Sequence, residues 1–582
     1  MHNIKTRNYY HDVLIIGSGG SGLSAAIFTA GKNLDVAIVS KVHPLKSHTV
    51  AAQGGINASL GNIAPDNWRW HAYDTIKASD WLADQDSVEE MCKEAVNMIN
   101  MLDQLGVEFD KNADGKIDQK IYGGQSTDFG KGKLAYRACY TKDKIGHSIM
   151  HKLFQEATRK SVSFYNYNFA LDLIMEDNRC YGVLCLDIEN GILNIIKAGN
   201  VIIASGGYSQ IYATATSSAI CTGDGNGLVM RAGIGLQDME FVQFHPTALN
   251  KSGILITEAA RSAGGKLLNA SGERFMEKYA PKFLELAARD IVARAIATEI
   301  DEGRGAGISK DHVFLDLTHL SSEEIKANLP MVFENCWNFA GIDPSKTFIP
   351  IAPAAHYTMG GIPTNSYCQV IKYNGYSVPI TGLYAIGEAA CVSVHGAGRL
   401  GCNSLLDLFV FAKKAINSLE VLDSHEFELS SDHKIFANFA RIFEGQEVDI
   451  DAMTDELKNI MSHYVGVFRS GKSLKTALKK INLLQKQYNQ ACVTDKSLLW
   501  NVELQHYLEL GNMLSLALVT VKSALWRAES RGAHWRWDFQ GKDDKFLGHT
   551  VCGSDEKEVI VLRPVRMSVN NVDFYQLNGR NY

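Results

Sequence analysis

"DVLIIGSGGSGLSAAIFTAG", Asp12 to Gly31, decides the fold. The apolar run from Asp12 to Ile16 reads as a strand. It enters a glycine turn, and "LSAAIFTAG" continues as a helix. "DVAIVS", Asp35 to Ser40, then supplies a second strand, so that about 30 residues form the βαβ unit in which a dinucleotide fingerprint has meaning. Gly17 makes the tight turn, Gly19 admits a pyrophosphate to the backbone, and Gly22 lets the helix pack on the strand. The stretch Gly17, Ser18, Gly19, Gly20, Ser21 and Gly22 is therefore a candidate phosphate cradle at a helix N-terminus. In the common form of this unit an Asp or Glu closes the second strand and binds a ribose. Here that place holds Ser40 and Lys41, which disfavours a plain NAD site and favours a flavin.

The reading extends outward from this unit. "NVIIASGGYSQIY", Asn200 to Tyr212, is a buried strand ending in a glycine pair, and "TGDGNG", Thr222 to Gly227, opens a helix. "TGLYAIGEAA", Thr381 to Ala390, is a late strand ending at Gly387 and Glu388. The expected fold class is α/β. A Rossmann-like nucleotide domain (1–240 and 355–425) is split by a cap domain (241–354), and substrates commonly sit between such domains. A helical domain of about three helices follows (430–530), then a small C-terminal domain (531–582) with a strand in "EVIVLRPVRMSV".

Length and composition bound the function. A chain of 582 residues is three or four domains at roughly 100–200 residues each. A formal net charge of −6 disfavours nucleic acid, whose binders carry a basic footprint. The 11 cysteines are scattered, with no C-x-x-C. They read as reduced thiols, with no disulfide framework, no iron–sulfur or zinc site and no c-type haem. Met1 to His11 is polar, with the first strand expected at Asp12, which leaves no room for a signal or transit peptide. The longest apolar helical stretch, Met513 to Leu525, is interrupted by Lys522 and falls short of the roughly 20 residues a membrane span needs.

Longer motifs then occur in order: "SHTVAAQGGINASLGN", "QFHPT", "LITEAAR", "AARDIVARAI", "AHYTMGGIPT", "GEAACVSVHGAGRLGCNSLLDL" and "RAESRGAH". From about residue 10 to its end the chain resembles the succinate dehydrogenase/fumarate reductase flavoprotein family. The resemblance implies FAD bound covalently through His48. Such a bond raises the flavin's potential, which a poor reductant such as succinate requires. It further implies cofactor contacts from Ser40, Lys41, Ser47, Thr49, Gln53, Gly54, Gly55, Asp224, Glu388, Ser404 and Leu405. The helix opened by Asn403 would present its positive end to the reduced flavin. Arg399 and His356 would clamp one carboxylate of succinate, and His245 and Thr257 the other. Arg289 would be the base, in a proton relay with Glu258 and Arg261. On spacing alone Arg289 reads instead as a helix-surface ion-pair set with Asp290 and Arg294. A free arginine is also a poor base, so the role depends on the relay.

Several positions depart from the family's usual residues: Lys46, Tyr122, Gly398 and Cys402. Gln53 is the residue that succinate dehydrogenases tend to carry, where quinol-fumarate reductases tend to carry Glu; an anion there would lower the flavin's potential. The resemblance implies an iron–sulfur subunit, membrane anchor subunits that reduce quinone, and a flavinylation assembly factor as partners. It implies a peripheral place on the cytoplasmic face of a bacterial inner membrane or the matrix face of the mitochondrial one. The rival readings are a quinol-fumarate reductase flavoprotein, told apart by the ratio of the two activities, and an L-aspartate oxidase, which lacks the linking histidine. A non-enzymatic flavin store would have no use for Arg289, Arg399, His245 and His356 together.

Overall fold

The computed structural model describes residues 5–430, 433–553 and 560–568. Its largest sheet has eight strands. At its centre β1 (Thr6–Ile16) lies parallel to β2 (Val36–Ser40) on one side and to β6 (Ile192–Ile203) on the other. β3 (Ser163–Asn166) extends the parallel set beyond β2, and β13 (Ser377–Ala385) extends it beyond β6. Val13, Leu14, Ile15 and Ile16 are buried, as is every residue of β6. Continuous apolar runs of this kind mark parallel strands covered on both faces. An antiparallel run of β4 (Asn168–Glu176), β5 (Arg179–Asp187) and β6 fills one flank, and β12 (Gln369–Tyr373) closes the edge beside β13.

The first strand begins six residues before the expected Asp12. Thr6 to His11 is polar and largely exposed, yet it stays in register with Leu193 to Ala198 of β6. Backbone pairing carries the strand where side-chain patterning gives no signal.

The opening motif folds as read. Gly17 has φ +112, and α1 (Gly20–Ala30) starts directly after it. A Cβ on Gly22 would stand 1.9 Å from the Gly17 carbonyl oxygen. Gly22→Ala must therefore push helix from strand, and we expect it to cost about 3 kcal/mol of stability and to abolish FAD retention. Urea unfolding and the flavin content of the purified variant test this.

A second sheet is antiparallel and built from the segment between the two halves of the first. Its order is β8 (Val242–Leu249), β11 (Ile349–Thr358), β10 (Val313–Asp316) and β9 (Lys266–Leu268). Its core, around Leu267, Val292, Ile296, Leu315 and Ile351, is separate from those of the large sheet. The β8–β11 register slips between Gln243 and Phe244: Gln243 faces Tyr357 while Phe244 faces Ala355. His356 is thus the extra residue of a β-bulge, a device that re-aims a side chain.

The region read as about three helices holds four: α6 (Lys434–Arg441), α7 (Ile450–Tyr464), α8 (Gly471–Tyr488) and α9 (Val502–Trp526). α9 starts eleven residues before the apolar stretch recognised in the sequence. Among the described residues it is the one helix long and apolar enough to cross a membrane, but 61% of its apolar window is buried inside the protein. It packs on α7, α8 and α2 (Asp224–Arg231). Lys522 lies within it without breaking it.

The segment from 531 onward shares a sheet with the large domain. β7 (Leu236–Gln237) pairs with β14 (Gly548–Cys552), and β14 with β15 (Ile560–Pro564). Buried ion pairs fasten it: His549 meets Asp238 at 2.6 Å and Asp84 at 3.2 Å, and Arg563 meets Asp84 at 2.7 Å. Residues 554–559 and 569–582, parts of the expected C-terminal domain, lie outside the described residues.

Candidate active site

One cavity of about 870 Å³ runs from the C-terminal end of β1 and β2 to the junction of the two sheets. That is near the upper end of the roughly 300–1,000 Å³ of ligand pockets. Twenty-three of the twenty-five sequence-derived site residues line it; Gly22 and Arg261 stand just behind its wall.

At the β1 end the residues fit a dinucleotide. The start of α1 is capped by Gly19, which offers no side-chain acceptor, and Ser21 Oγ is buried without a partner. The next amides of the first turn, those of Ser21 and Gly22, thus stand open to an anion. Ser18 Oγ donates to Ser40 Oγ at 2.7 Å, and the Gly20 amide donates to Thr49 Oγ1 at 3.2 Å. Lys41, expected as a cofactor contact, is committed to protein groups. Its ammonium bonds Thr222 Oγ1 (2.9 Å), Asp224 Oδ2 (2.8 Å) and Glu509 Oε1 (2.5 Å).

In mid-cavity His48 opens a short turn, His48–Ala51. Its Nδ1 accepts from the Ser218 amide at 3.2 Å, which leaves Nε2 as the uncommitted nitrogen. Burial holds the ring's pKa down at about 4, so it is neutral. Gln53 is buried, with Oε1 unpartnered. Tyr122 donates to the Gly54 carbonyl at 2.7 Å and pins the glycine pair beside it. Glu388 accepts from the Thr358 amide at 3.0 Å; burial raises its carboxyl to about 7. α5 (Asn403–Asn417) begins after Cys402 in a left-handed conformation, and Ser404 and Leu405 in its first turn line the cavity. These features fit a flavin: an unspent histidine nitrogen, a glycine wall, an orphaned amide oxygen and a helix start.

At the far end the charged residues converge. α3 (Glu258–Ser262) carries Glu258 and Arg261 one turn apart, 3.5 Å from each other. Thr257 is the residue before α3, and its Oγ1 accepts from the Ala259 amide at 3.4 Å. Its hydroxyl lies beside Tyr122, and the residue lines the cavity. Arg289 opens α4 (Arg289–Asp301). Of the ion pairs that spacing suggested, Arg294 and Asp290 make one, at 3.1 Å. Arg289 points inward: its Nε donates to Glu258 Oε2 at 2.9 Å, and its Nη1 lies 3.2 Å from His356 Nε2. The His245 and His356 rings are 4.9 Å apart. Arg399 lies over the Tyr357 ring at 4.4 Å.

Sequence reading missed Gln243, although it stands inside a quoted motif. Its Oε1 accepts from Arg399 Nη2 (3.2 Å) and faces Arg289 Nη1 (3.4 Å), bridging two like charges. Thr216, 2.7 Å from His356 Nδ1, and Ser218 were also missed. The only signal for Gln243 was its alternation with His245 on one face of a strand.

Burial, then Arg289, Arg261 and Arg399, hold His245 well below its ordinary pKa. Burial, then His245, Arg399 and Arg289, do so for His356. Burial beside Arg289 lowers Arg399 to about 10, still charged at neutral pH. Burial alone would raise Glu258, but Arg261 and Arg289 outweigh it and keep the carboxylate ionised. Three arginines and one glutamate leave this end with a charge of +2 around two neutral histidines.

Comparisons with known proteins agree with this geometry. Residues 12–405 match the family model described as an FAD binding domain, and residues 454–582 that of the fumarate reductase flavoprotein C-terminus. The chain is 47% identical to the succinate dehydrogenase flavoprotein subunit of Rickettsia bellii over 97% of each chain. It is 44% identical to the mitochondrial flavoprotein subunit of succinate dehydrogenase [ubiquinone] of Oryza sativa, over 99% of this chain and 93% of that one. A solved quinol fumarate reductase from E. coli superposes with a TM-score of 0.89 at 33% identity, covering 97% and 98%. The chain, built on an FAD-binding domain, belongs to the succinate dehydrogenase/fumarate reductase flavoprotein family.

Proposed function

We propose that this chain is the flavoprotein subunit of a succinate dehydrogenase and oxidises succinate to fumarate. The observation that carries the reading is the +2 site walled by Arg399, His356, His245 and Thr257. It matches a small dicarboxylate in charge and places donors at two ends. Bound FAD would supply the hydride acceptor. The second hydrogen leaves the adjacent carbon as a proton, and Arg289 is placed to move it. Arg289 takes that proton as its Nε–H passes to Glu258 Oε2, and Glu258 in turn protonates Arg261 as that guanidinium releases one of its own N–H protons onward toward solvent, so that each arginine ends the step with the charge it began with. The relay answers the objection that arginine keeps its proton, because no free neutral arginine has to accumulate. Gln53, a neutral amide, leaves the potential high and supports the oxidative direction over fumarate reduction.

The site assignments and the domain boundaries given above belong to the same proposal, and so does the covalent link of FAD to His48, through Nε2. The geometry that supports this link is the commitment of Nδ1 to Ser218. Electrons then leave through an iron–sulfur subunit to a membrane anchor and quinone. The chain sits peripherally, on the cytoplasmic face of a bacterial inner membrane or on the mitochondrial matrix face, after flavinylation helped by an assembly factor.

The test is a denaturing gel, rinsed in acid and viewed for flavin fluorescence at 64.1 kDa. The unmodified protein is expected to fluoresce and His48→Ser to be dark. A dark band from unmodified protein that still carries loose FAD would reopen both the linkage and the substrate.

A further inference from the structure

We propose that Glu509 and Asn512 of α9 are positioning residues for the adenosine end of the cofactor. Together with Lys41 they hold the Asp224 carboxylate as the ribose acceptor that strand β2 lacks. The inference rests on the FAD reading above and adds to it a contribution from outside the matched FAD-binding segment, which ends at 405.

The argument starts from a deficit. β2 ends at Ser40, followed by Lys41, where the βαβ unit ordinarily presents a carboxylate to the ribose. A cation there would repel nothing, but it offers no acceptor to a hydroxyl. In the structure Lys41 is turned away from that task. Its three protons go to Thr222 Oγ1, Asp224 Oδ2 and Glu509 Oε1, which exhausts an ammonium's donors. What Lys41 does is join two carboxylates.

Of these, Asp224 lines the cavity and Glu509 does not. Asp224 is gripped from three directions. Oδ2 takes the Lys41 bond, and Oδ1 accepts from Thr222 Oγ1 at 2.8 Å and Asn512 Nδ2 at 3.0 Å. An ionised carboxylate has about four lone-pair sites; three are filled, and the one left is on Oδ2 of a residue that lines the cavity. Glu509 and Asn512 are three apart on α9, so they share a helix face. Asn512 is itself oriented by Arg231, whose Nη1 donates to its Oδ1 at 2.6 Å. The cluster totals one ammonium and two carboxylates, so one negative charge is in excess where ribose hydroxyls would donate.

The experiment uses the full chain carrying His48→Ser, so that FAD exchanges, stripped and titrated by fluorescence. Two ligands are compared: FAD, and an FAD analogue whose adenosine ribose lacks both hydroxyls. In this parent, removing the hydroxyls is expected to weaken binding about tenfold, the worth of one charge-assisted hydrogen bond. With Glu509→Gln or Asn512→Leu added, FAD is expected to weaken about tenfold as well. The analogue should then bind no worse than FAD does, because the acceptor is no longer held. A variant that is merely loosened would lose affinity for both ligands alike and keep the tenfold gap; that result overturns the proposal. A parent that shows no gap overturns it too. A parent that takes up no FAD at all would sink the underlying flavin reading, an outcome distinct from either. Asn512→Leu keeps the test alive if Glu509→Gln does not fold.

Discussion

Arg289→Lys keeps the fold, the charge and the bound flavin, and loses about 10³–10⁴-fold in kcat. The loss follows from shape. The guanidinium of Arg289 reaches Glu258 through Nε at 2.9 Å and, through Nη1, His356 at 3.2 Å. An ammonium is a single nitrogen and cannot hold both ends of that span. The proton would have to cross a gap, whereas the +2 charge that recognises the dicarboxylate is unchanged. KM should therefore stay within a few-fold while kcat collapses. Succinate oxidation with a soluble electron acceptor reads both constants. A kcat within tenfold of the unmodified enzyme would remove Arg289 from the proton path and return it to the role of a binding cation.

The second large effect belongs to Glu258. It is buried, flanked by Arg289 at 2.9 Å and Arg261 at 3.5 Å, and accepts from the Gly123 amide at 3.1 Å. Glu258→Gln keeps the shape and the Gly123 bond but leaves two buried guanidiniums without their shared counter-charge. Breaking a buried pair from one side costs about 3–5 kcal/mol, and kcat should fall about 10²–10³-fold as the relay loses its middle member. The stability loss carries a pH signature. The folded carboxyl is held below its ordinary value by the two arginines, against burial. Its stabilisation is thus fully present above the unfolded value of about 4.3, and it is lost as pH falls through the folded value. The gap between the two proteins should be widest near pH 7 and close toward strong acid. Urea unfolding of both at pH 7 and pH 3.5 measures it. A gap equal at the two pH values would mean that the amide disturbs packing, not charge.

Much of this was legible in the sequence because the relevant signals are local. A glycine turn between an apolar run and a helix needs only 20 residues to be read, and Gly17, Gly19 and Gly22 stand as their spacing required. The catalytic cluster was legible only through long motifs. Nothing in "AARDIVARA" says that Arg289 turns inward while Arg294 takes Asp290; that choice is made by α3, some thirty residues upstream. Residues that hold others escaped altogether. Gln243 is a neutral amide whose worth lies in facing two arginines from different elements, and Glu509 lies 468 residues from Lys41. The polar half of β1 and the true start of α9 were hidden for a related reason. Both elements are fixed by pairing and packing partners that a hydrophobic pattern does not name.

The place of β6 beside β1 also governs how the molecule comes into being. The centre of the large sheet joins Ile16 to Ile203, so a ribosome must add nearly 190 residues after the first strand emerges before that strand gains its inner neighbour. At about 5–20 residues per second the nascent chain waits on the order of 10–40 seconds with the apolar edge of β1 unpaired. The strand that carries His549 closes over Asp84 only after a further 465 residues. A chain with this order of assembly cannot build its cofactor domain piece by piece, and it passes through a window in which holdase chaperones have the apolar run Val13 to Ile16 to bind.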